Sequence, residues 1–313
     1  HAMTALLHES GVPIGVLQLA LGDGLVGGAL VAAEHIAGVA FTGSVEVAQK
    51  INRTLAAKLG PIAPLIAETG GQNAMIVDSS ALPEQVVKDA INSAFYSAGQ
   101  RCSALRVLCV QSEIADKVKH LLAGAMQELV VGDPALLATD IGPVIDEDAR
   151  AKLAAHAALM RATGKVIGEV LLPADTANGT FVAPMAVEIP SLAALKEEQF
   201  GPILHVLSYE ADQLDALVDG INAMGYGLTL GVHSRIERTW RTVQAKAHVG
   251  NVYINRGMTG AVVGVQPFGG EGLSGTGPKA GGPHYLLRFI SERTLTINTS
   301  AVGGNARLLA ASG

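Results

Sequence analysis

The chain has 313 residues, 49% of them hydrophobic and 16% charged, which is enough to bury a core and to form two domains. Its formal charge of −6 and pI near 5.8 argue against a nucleic-acid or anionic membrane surface, and no apolar run reaches the ~18 to 20 residues of a membrane span. Cys102 and Cys109 are too few and wrongly spaced for a disulfide framework, which favours a reducing, cytoplasmic location.

The first 70 residues alternate between the hydrophobic periods of strands and helices. Strands that alternate with helices of this length indicate a parallel sheet with helical crossovers, which is an α/β fold. The predicted strands are 16–21, 38–42 and 64–67, and the predicted helices are 26–35 and 45–59, after the end of a helix at 4–9.

A second α/β region begins at residue 73. Its predicted strands are 74–77, 106–111, 181–188, 203–209, 228–233 and 249–255, and its predicted helices are 82–97, 114–129, 147–163, 213–223 and 236–248. Pro184 lies inside a predicted strand and argues for an edge position or a bulge. Cys109 lies in an apolar strand and is predicted to be core. From Thr294 the sequence alternates like a strand that pairs with another chain or with the core.

Two glycine-containing segments are candidates for phosphate binding. Gly22-Asp-Gly24-Leu-Val-Gly27 follows a predicted strand, with Glu46 near the place of a ribose acid, as in the dinucleotide fingerprint. Such a pattern arises easily in a chain with 37 glycines. Phe41-Thr-Gly-Ser44 is the better candidate, because it opens a helix whose free amides and dipole favour an anion. Ser44 would serve equally well as an ordinary N-cap.

A thiol and a carboxylate suggest covalent catalysis. Small neighbours of Cys102 leave room for a substrate on one side and a flat cofactor on the other, and the charge of Arg101 would favour the thiolate. Cys102 alone also fits a small buried apolar residue. Glu68 ends a strand and precedes Gly70-Gly71, which suits a base that later activates water.

Other polar features are less specific. Glu198, in the charged run 196–202, is by itself typical of a solvated residue at the end of a helix. The Gly-rich loop 259–270, with Phe268 as its single aromatic residue, fits a flexible connection. The nine histidines are scattered without metal-ligand spacing, so metal catalysis is not predicted.

At three places the sequence resembles the aldehyde dehydrogenase superfamily. Glu68-Thr-Gly-Gly71, Gly99-Gln-Arg-Cys102 and Glu198-Gln-Phe-Gly-Pro202 match its base, nucleophile and Glu-x-Phe-Gly-Pro motifs in order and separation. The longer segments 66–78, 99–108 and 265–283 resemble the glutamate-semialdehyde (pyrroline-5-carboxylate) dehydrogenase module of bacterial proline utilization A. The resemblance runs over essentially the whole chain.

The resemblance implies NAD-dependent oxidation of L-glutamate γ-semialdehyde to L-glutamate. Cys102 would attack the aldehyde, and Glu68 would activate the water that hydrolyses the thioester. The implied fold is aldehyde dehydrogenase-like, with part of a Rossmann-type NAD-binding domain at 1–70, a catalytic domain at 71–290 and a C-terminal strand or oligomerisation flap at 291–313.

The resemblance also implies the binding residues. Glu198 would take both hydroxyls of the nicotinamide ribose, with Phe200 beside the ring. The remaining implied cofactor residues are Gly24, Phe41, Thr42, Gly43, Ser44 and Val47. The implied substrate residues are Ser103, Gly260 and Ala261, which hold the α-carboxylate, Phe268, which lines the aldehyde tunnel, and Arg101.

We further expect that the family's N-terminal part is absent from this chain, and with it an oxyanion-hole Asn and the groups that hold the adenosine ribose. The expected partners are the remainder of a larger proline-utilization polypeptide and further copies in a homo-oligomer, and the fragment itself is expected to lack full activity. Two alternatives stay open: an acylating semialdehyde dehydrogenase, which needs coenzyme A and no hydrolytic base, and a non-catalytic remnant.

Overall fold

The computed structural model describes residues 1–298 and 310–311. The α-helices are α1 (Ala2–Glu9), α2 (Gly24–Ala32), α3 (Val45–Ala56), α4 (Pro83–Phe95), α5 (Ser112–Gln127), α6 (Glu147–Thr163), α7 (Leu214–Ala223) and α8 (Glu237–Lys246). The strands are β1 (Val39–Thr42), β2 (Leu65–Glu68), β3 (Asn73–Val77), β4 (Leu105–Gln111), β5 (Lys165–Glu169), β6 (Met185–Glu188), β7 (Ile203–Tyr209), β8 (Tyr226–Gly227), β9 (Thr229–His233), β10 (Asn251–Ile254) and β11 (Glu271–Gly272).

The largest sheet of the described residues has seven strands in the order β10-β9-β3-β4-β7-β6-β5. Every pair is parallel except β5 with β6. Strands β3, β4 and β9 are buried along their whole length, as expected for apolar strands covered on both faces. Helix α4 packs against β4 and β7, and α8 packs against β9. The predicted α/β class is confirmed.

A separate two-stranded parallel sheet joins β1 to β2. In its register Thr42 lies opposite Glu68, and the amide of Gly43 donates to the carbonyl oxygen of Glu68 over 3.1 Å. The turn 41–44 and the end of β2 are therefore neighbours. Helix α2 packs on α3, and no residue from 1 to 47 is fully buried.

The strand predicted at 16–21 is wrong. This apolar run forms no regular element, and the amides of Val16 and Leu17 donate instead to the carbonyl oxygen of Pro13, over 2.9 and 3.2 Å. A strand needs a neighbour that takes up its backbone hydrogen bonds, and the described residues supply none at this position.

Of the two alternatives predicted from Pro184, an edge position or a bulge, the edge position is wrong. Strand β6 lies between β5 and β7, and the edge strand is β5, which the sequence pattern did not predict. Pro184 precedes the first residue of β6, so its missing N–H removes no bond from the ladder. An irregularity does occur nearby, as the β5–β6 register shifts between Val166 and Gly168.

The strand predicted from Thr294 is absent from residues 294–298, which have no regular secondary structure. Residues 299–309 and 312–313 of the predicted tail lie outside the described residues. The boundaries at residues 70 and 290 stay predictions.

Candidate active site

The loop that carries Cys102 is built on left-handed backbone. Helix α4 ends at Phe95, and Ser97, Ala98 and Gly99 follow with φ of 57°, 52° and 65°. A Cβ at residue 99 would lie 2.2 Å from the carbonyl oxygen of Gly201, so this position requires glycine. The turn reverses the chain and presents Cys102 at the amino-terminal edge of the sheet, just before β4.

Asn73, the first residue of β3, holds this loop by hydrogen bonds. Its Nδ2 donates to the carbonyl oxygens of Cys102 and Ala104, over 2.7 and 2.9 Å, and its Oδ1 accepts from the amide of Thr229 over 3.1 Å. The Asn73 side chain is buried, with 3% of its surface exposed. The first residue of β3, itself held by the amide of the first residue of β9, thereby fixes the backbone on both sides of Ser103.

The thiol of Cys102 is half-buried, and its surroundings oppose ionisation. Burial raises its pKa, the carboxylates of Glu198 and Glu68 raise it further, and the backbone amide of Ser103 lowers it. Arg101 is exposed and donates from Nε to Ser97 Oγ over 3.0 Å. The predicted shift toward the thiolate is therefore wrong in direction: burial and two negative charges raise the pKa, and Arg101 is not among the groups that shift it.

Glu68 lies at the end of β2 with one oxygen uncommitted. Its Oε2 accepts from the amide of Gly270 over 3.3 Å, whereas Oε1 is buried without a hydrogen-bond partner. Burial raises the pKa of Glu68 to about 7, against smaller lowering effects of the Gly270 amide and Lys279. A Cβ at residue 269 would lie 2.6 Å from Oε1, so a larger residue there would displace this carboxylate.

Glu198 is not a solvated helix end. Its side chain is only 16% exposed, and it accepts hydrogen bonds from the amide of Gly71 and from Arg106. Its Oε2 would be 1.7 Å from a Cβ at residue 70. Burial raises its pKa, partly offset by Arg106. The glycine pair of the Glu68 motif, Gly70-Gly71, is thus the surface on which Glu198 lies.

The loop proposed to anchor the substrate starts beyond β10. Gly260 has a φ of 73°, Ala261 is half-buried, and Phe268 pairs with Ala280 through amide-to-carbonyl bonds of 3.0 and 2.8 Å. Ser103, the other residue predicted to bind the carboxylate, is buried with 5% exposure. The flexible connection considered from sequence alone is tied down at its Phe268 end.

A row of polar side chains on α4, at positions 85, 89 and 93, holds the start of that loop. Gln85 Nε2 donates to the carbonyl oxygen of Asn255 over 2.8 Å, and Ser93 Oγ accepts from the amide of Met258 over 3.1 Å. Between them, Asp89 Oδ2 lies 3.4 Å from His233 Nε2. Their spacing of four places them on one face of the helix.

The phosphate candidates have different surroundings. The pattern at 22–27 lacks the preceding strand that a fingerprint needs, since residues 16–21 form none, and Asp23 instead caps α2 by accepting from the amides of Leu25 and Val26. Glu46 is exposed and pairs with Lys50 over 2.7 Å. Ser44 is the N-cap of α3 and accepts from the amide of Val47 over 3.3 Å. The structure is compatible with the N-cap role and with the phosphate-binding role of this serine.

The exposed candidates lie on the β1–α2–α3 unit. Gly24 is the first residue of α2, and a Cβ there would meet nothing within 4 Å. Thr42, Gly43, Ser44 and Val47 are exposed, and Phe41 is half-buried. Phe200 is 44% exposed, so an aromatic face is available to a ligand.

The sequence profile of the aldehyde dehydrogenase family matches residues 1–295. The chain belongs to the aldehyde dehydrogenase family. This aldehyde dehydrogenase chain is 57% identical over 298 residues to the bifunctional protein PutA of Klebsiella aerogenes, a match that covers 92% of the chain and 23% of the relative. It is 38% identical over 300 residues to 1-pyrroline-5-carboxylate dehydrogenase of Geobacillus kaustophilus, covering 93% of the chain and 57% of the relative.

Solved structures give the same family. A crystal structure of a bifunctional proline utilization A protein superimposes with a TM-score of 0.92 at 57% identity, over 96% of the aldehyde dehydrogenase chain and 30% of that protein. The 1-pyrroline-5-carboxylate dehydrogenase from Thermus, solved with bound NAD, gives 0.85 at 34% identity, over 91% and 55%. The chain therefore spans about a quarter of the length of its PutA relatives.

Two residues of this aldehyde dehydrogenase site were missed from sequence. Asn73 was assigned no role, and Arg106 was read as the start of an apolar strand. A signal was present for Arg106, since a charged residue inside a buried strand is rarely there without a partner. Within the described ranges, no group of three or more His, Cys, Asp or Glu side chains could hold a metal ion, and no helix is both long and apolar enough to cross a membrane.

Proposed function

We propose that the chain carries the dehydrogenase site of an NAD-dependent enzyme that oxidises L-glutamate γ-semialdehyde to L-glutamate, the second step of proline catabolism. The observation that carries this proposal is a half-buried thiol, Cys102, close enough to two partly buried carboxylates, Glu68 and Glu198, for each to raise its pKa. The names of the PutA and 1-pyrroline-5-carboxylate dehydrogenase relatives support this substrate.

Cys102 and Glu68 divide the chemistry between them. After losing its proton, Cys102 Sγ bonds to the aldehyde carbon and holds it as a thiohemiacetal and, after oxidation, as a thioester. NAD, when bound, supplies the acceptor for the hydride. Glu68 then takes a proton from water as the new C–O bond forms, the C–S bond breaks, and the thiol is restored. A pKa of about 7 makes Glu68 half-ionised near neutrality, which suits a general base.

The donor set fits a dinucleotide. The amino end of α3, at residues 41–44 and Val47, offers a helix dipole to a pyrophosphate, whereas the amides of Gly43 and Val47 are already bonded to the carbonyl oxygen of Glu68 and to Ser44 Oγ. Glu198 offers carboxylate oxygens to ribose hydroxyls, and the exposed ring of Phe200 offers a flat apolar surface to the nicotinamide. Gly24 leaves open space beside α2.

The substrate end of the proposed site would bind the α-carboxylate. Ser103 and the amides of Gly260 and Ala261 are donors without a buried charge, with Arg101 as a nearby cation. Phe268 would line the path of the aldehyde. These roles distinguish a semialdehyde with a carboxylate from a plain aliphatic aldehyde.

We also propose a cytoplasmic homo-oligomer and, as partner, the remainder of a larger proline-utilization polypeptide. Both cysteines are free, which fits a reducing compartment. Leu286, Phe289 and Ile297 are 74%, 58% and 64% exposed, which supports a covered C-terminal segment in an assembly.

Pre-steady-state NADH formation tests the function. With L-glutamate γ-semialdehyde and NAD, the full polypeptide should turn over continuously, whereas Glu68→Gln should give a burst without sustained turnover, and Cys102→Ala neither. Turnover that depends on coenzyme A would favour the acylating alternative, in which Glu68 has no hydrolytic task. If the full polypeptide forms no NADH and binds no NAD, the proposal is wrong and a non-catalytic role follows.

A further inference from the structure

One buried guanidinium contacts two of the three motifs directly and the third through a shared carboxylate. Arg106, the second residue of β4, has a side chain only 1% exposed. Its Nη1 donates to the carbonyl oxygens of Gly99 and Gly201, over 2.8 and 3.1 Å. One nitrogen thus ties the start of the nucleophile loop to the end of the Glu198 motif.

The second nitrogen repeats this connection. Nη2 donates to the carbonyl oxygen of Arg101 over 3.1 Å and to Glu198 Oε1 over 3.4 Å. The guanidinium carbon also lies 5.4 Å from the centre of the Phe200 ring. Arg106 therefore bonds on both sides of the gap between the loop of Cys102 and the segment 198–201, and its planar fork makes these contacts at a fixed spacing.

Glu198 extends the arrangement to the third motif. Its carboxylate accepts from the amide of Gly71, and its Oε2 lies where a Cβ of residue 70 would be. The turn that follows Glu68 thus rests on the carboxylate that Arg106 binds. The described structure places this carboxylate between the base motif and the nucleophile motif.

Stability alone does not account for a cation here. A buried ion pair contributes little net stability, because desolvation offsets its attraction, and apolar residues of similar volume often replace such pairs without loss. The rest of β4 is buried, yet Arg106 stands in it with Nε unpartnered and with three carbonyl oxygens and one carboxylate as its acceptors. The contribution of the side chain is to hold its four acceptors in fixed relative positions.

We propose that Arg106 is a positioning residue that sets the distance and orientation between the Cys102 loop and the Glu198 carboxylate. The part of this inference that concerns cofactor affinity rests on the proposed function, since it takes Glu198 as the ligand of the nicotinamide ribose. The part that concerns the thiol loop rests on the contacts alone.

The test compares Arg106→Lys with Lys119→Met in the full polypeptide. Lysine at position 106 keeps the positive charge but lacks the planar guanidinium that binds several acceptors at once. Lys119→Met is the control, because it removes a half-buried ion pair, 2.9 Å long, between Lys119 and Glu188 at the carboxyl end of β6. The readouts are the alkylation rate of Cys102 by iodoacetamide, followed by mass spectrometry, the KM for NAD against kcat, and the urea midpoint.

We expect Arg106→Lys to change the alkylation rate and raise the KM for NAD by about tenfold or more each, since hydrogen bonds to a charged group are lost. Lys119→Met should lower the urea midpoint and leave both other values unchanged. An Arg106→Lys protein with wild-type alkylation rate and wild-type KM would overturn the inference, whatever its urea midpoint.

A second variant keeps the inference testable if Arg106→Lys does not fold. Glu198→Gln retains the shape of the side chain and removes the charge that Arg106 binds. Hydrogen exchange should then speed up at both 70–72 and 99–104, and unchanged exchange in either segment would contradict the proposed frame. Because alkylation and exchange need no turnover, they separate a failure of this inference from a failure of the proposed dehydrogenase activity.

Discussion

The side-chain amide of Asn73 donates to the carbonyl oxygen of Cys102 over 2.7 Å. The same nitrogen bonds to Ala104, so the backbone on both sides of Ser103 is held by one residue at the start of β3. The orientation of the thiol therefore depends on a donor located in the sheet and not in the loop.

Replacing Asn73 by Asp should loosen this loop. The change is nearly isosteric, but it sets a carboxylate oxygen against two carbonyl oxygens, and each buried group left unsatisfied costs about 1 to 3 kcal/mol. Urea unfolding should show this loss, and the alkylation rate of Cys102 should change with it. Gln72→Glu is the matched control, because Gln72 is equally buried but donates to the carbonyl oxygen of Leu195, so it should lose stability without altering Cys102 reactivity.

Gly99→Ala should be far more damaging than its small size suggests. The left-handed φ of 65° strains any Cβ, by about 1 to 2 kcal/mol, and the new methyl group would also meet the carbonyl oxygen of Gly201. Gly124→Ala makes the same chemical change in α5, where a Cβ meets nothing within 4 Å, and should stabilise by about 0.5 to 1 kcal/mol. Equal urea midpoints for the two variants would contradict this account.

Glu68→Gln should stabilise the fold at alkaline pH. The pKa of Glu68 is raised from 4.5 to about 7 in the folded protein. The folded state keeps a proton that the unfolded chain loses between these values, so stability falls as pH rises through this window. Because Glu68 is partly exposed, we discount the effect to about 1 kcal/mol, or a Tm difference of about 2 to 4 °C.

Thermal unfolding at about pH 5 and pH 8 measures this prediction, and the advantage of Glu68→Gln should grow toward pH 8. Glu84→Gln is the opposite control. The pKa of the exposed Glu84 is lowered by a hydrogen bond to its own backbone and by Lys117, so its removal should not stabilise the protein at high pH. A pH-independent difference for Glu68→Gln would show that burial of this carboxylate does not shift its protonation.

Ser103→Ala should lower kcat/KM for the semialdehyde by about one to two powers of ten and leave an uncharged aldehyde of equal length nearly unchanged. The physical reason is the loss of one donor to the α-carboxylate. Thr229→Val tests general loop damage, because the Thr229 hydroxyl donates to the carbonyl oxygen of Ser103 over 3.4 Å. Equal losses for both aldehydes in Ser103→Ala would leave Ser103 with a role in loop shape only.

The regular part of the fold was predictable because its residues carry a repeating signal. Helix α6 and strand β7 were predicted with their observed bounds, and most other elements within a few residues. The run 16–21 misled because apolarity does not show whether a neighbouring strand exists. Strand β5 was missed because an edge strand with exposed Lys165 and Glu169 lacks an apolar pattern.

The candidate site was predictable only through motifs. Glu68 ends β2 shortly before β3, and Cys102 precedes β4, which pairs with β3; no local pattern specifies that pairing. The direction of the Cys102 pKa shift was misjudged because a neighbour in sequence, Arg101, points to solvent, whereas Glu198, distant in sequence, lies close. The pKa of a side chain depends on the charges that are near it in space, whereas the sequence shows only which residues are near it along the chain.

The polar row on α4 has a mechanical consequence. The helix runs directly into the turn before Cys102, and its Gln85 and Ser93 hold the segment that precedes Gly260. The position of Cys102 and that of the proposed carboxylate-binding loop therefore both depend on helix α4. If α4 moves as a rigid body, the two move together. A change in the number of residues in α4 would have a different effect from a movement of the whole helix. One residue inserted in α4 would rotate Gln85 and its neighbours in the row by about 100° relative to the Cys102 turn, so the thiol and the loop before Gly260 would no longer keep their relative positions.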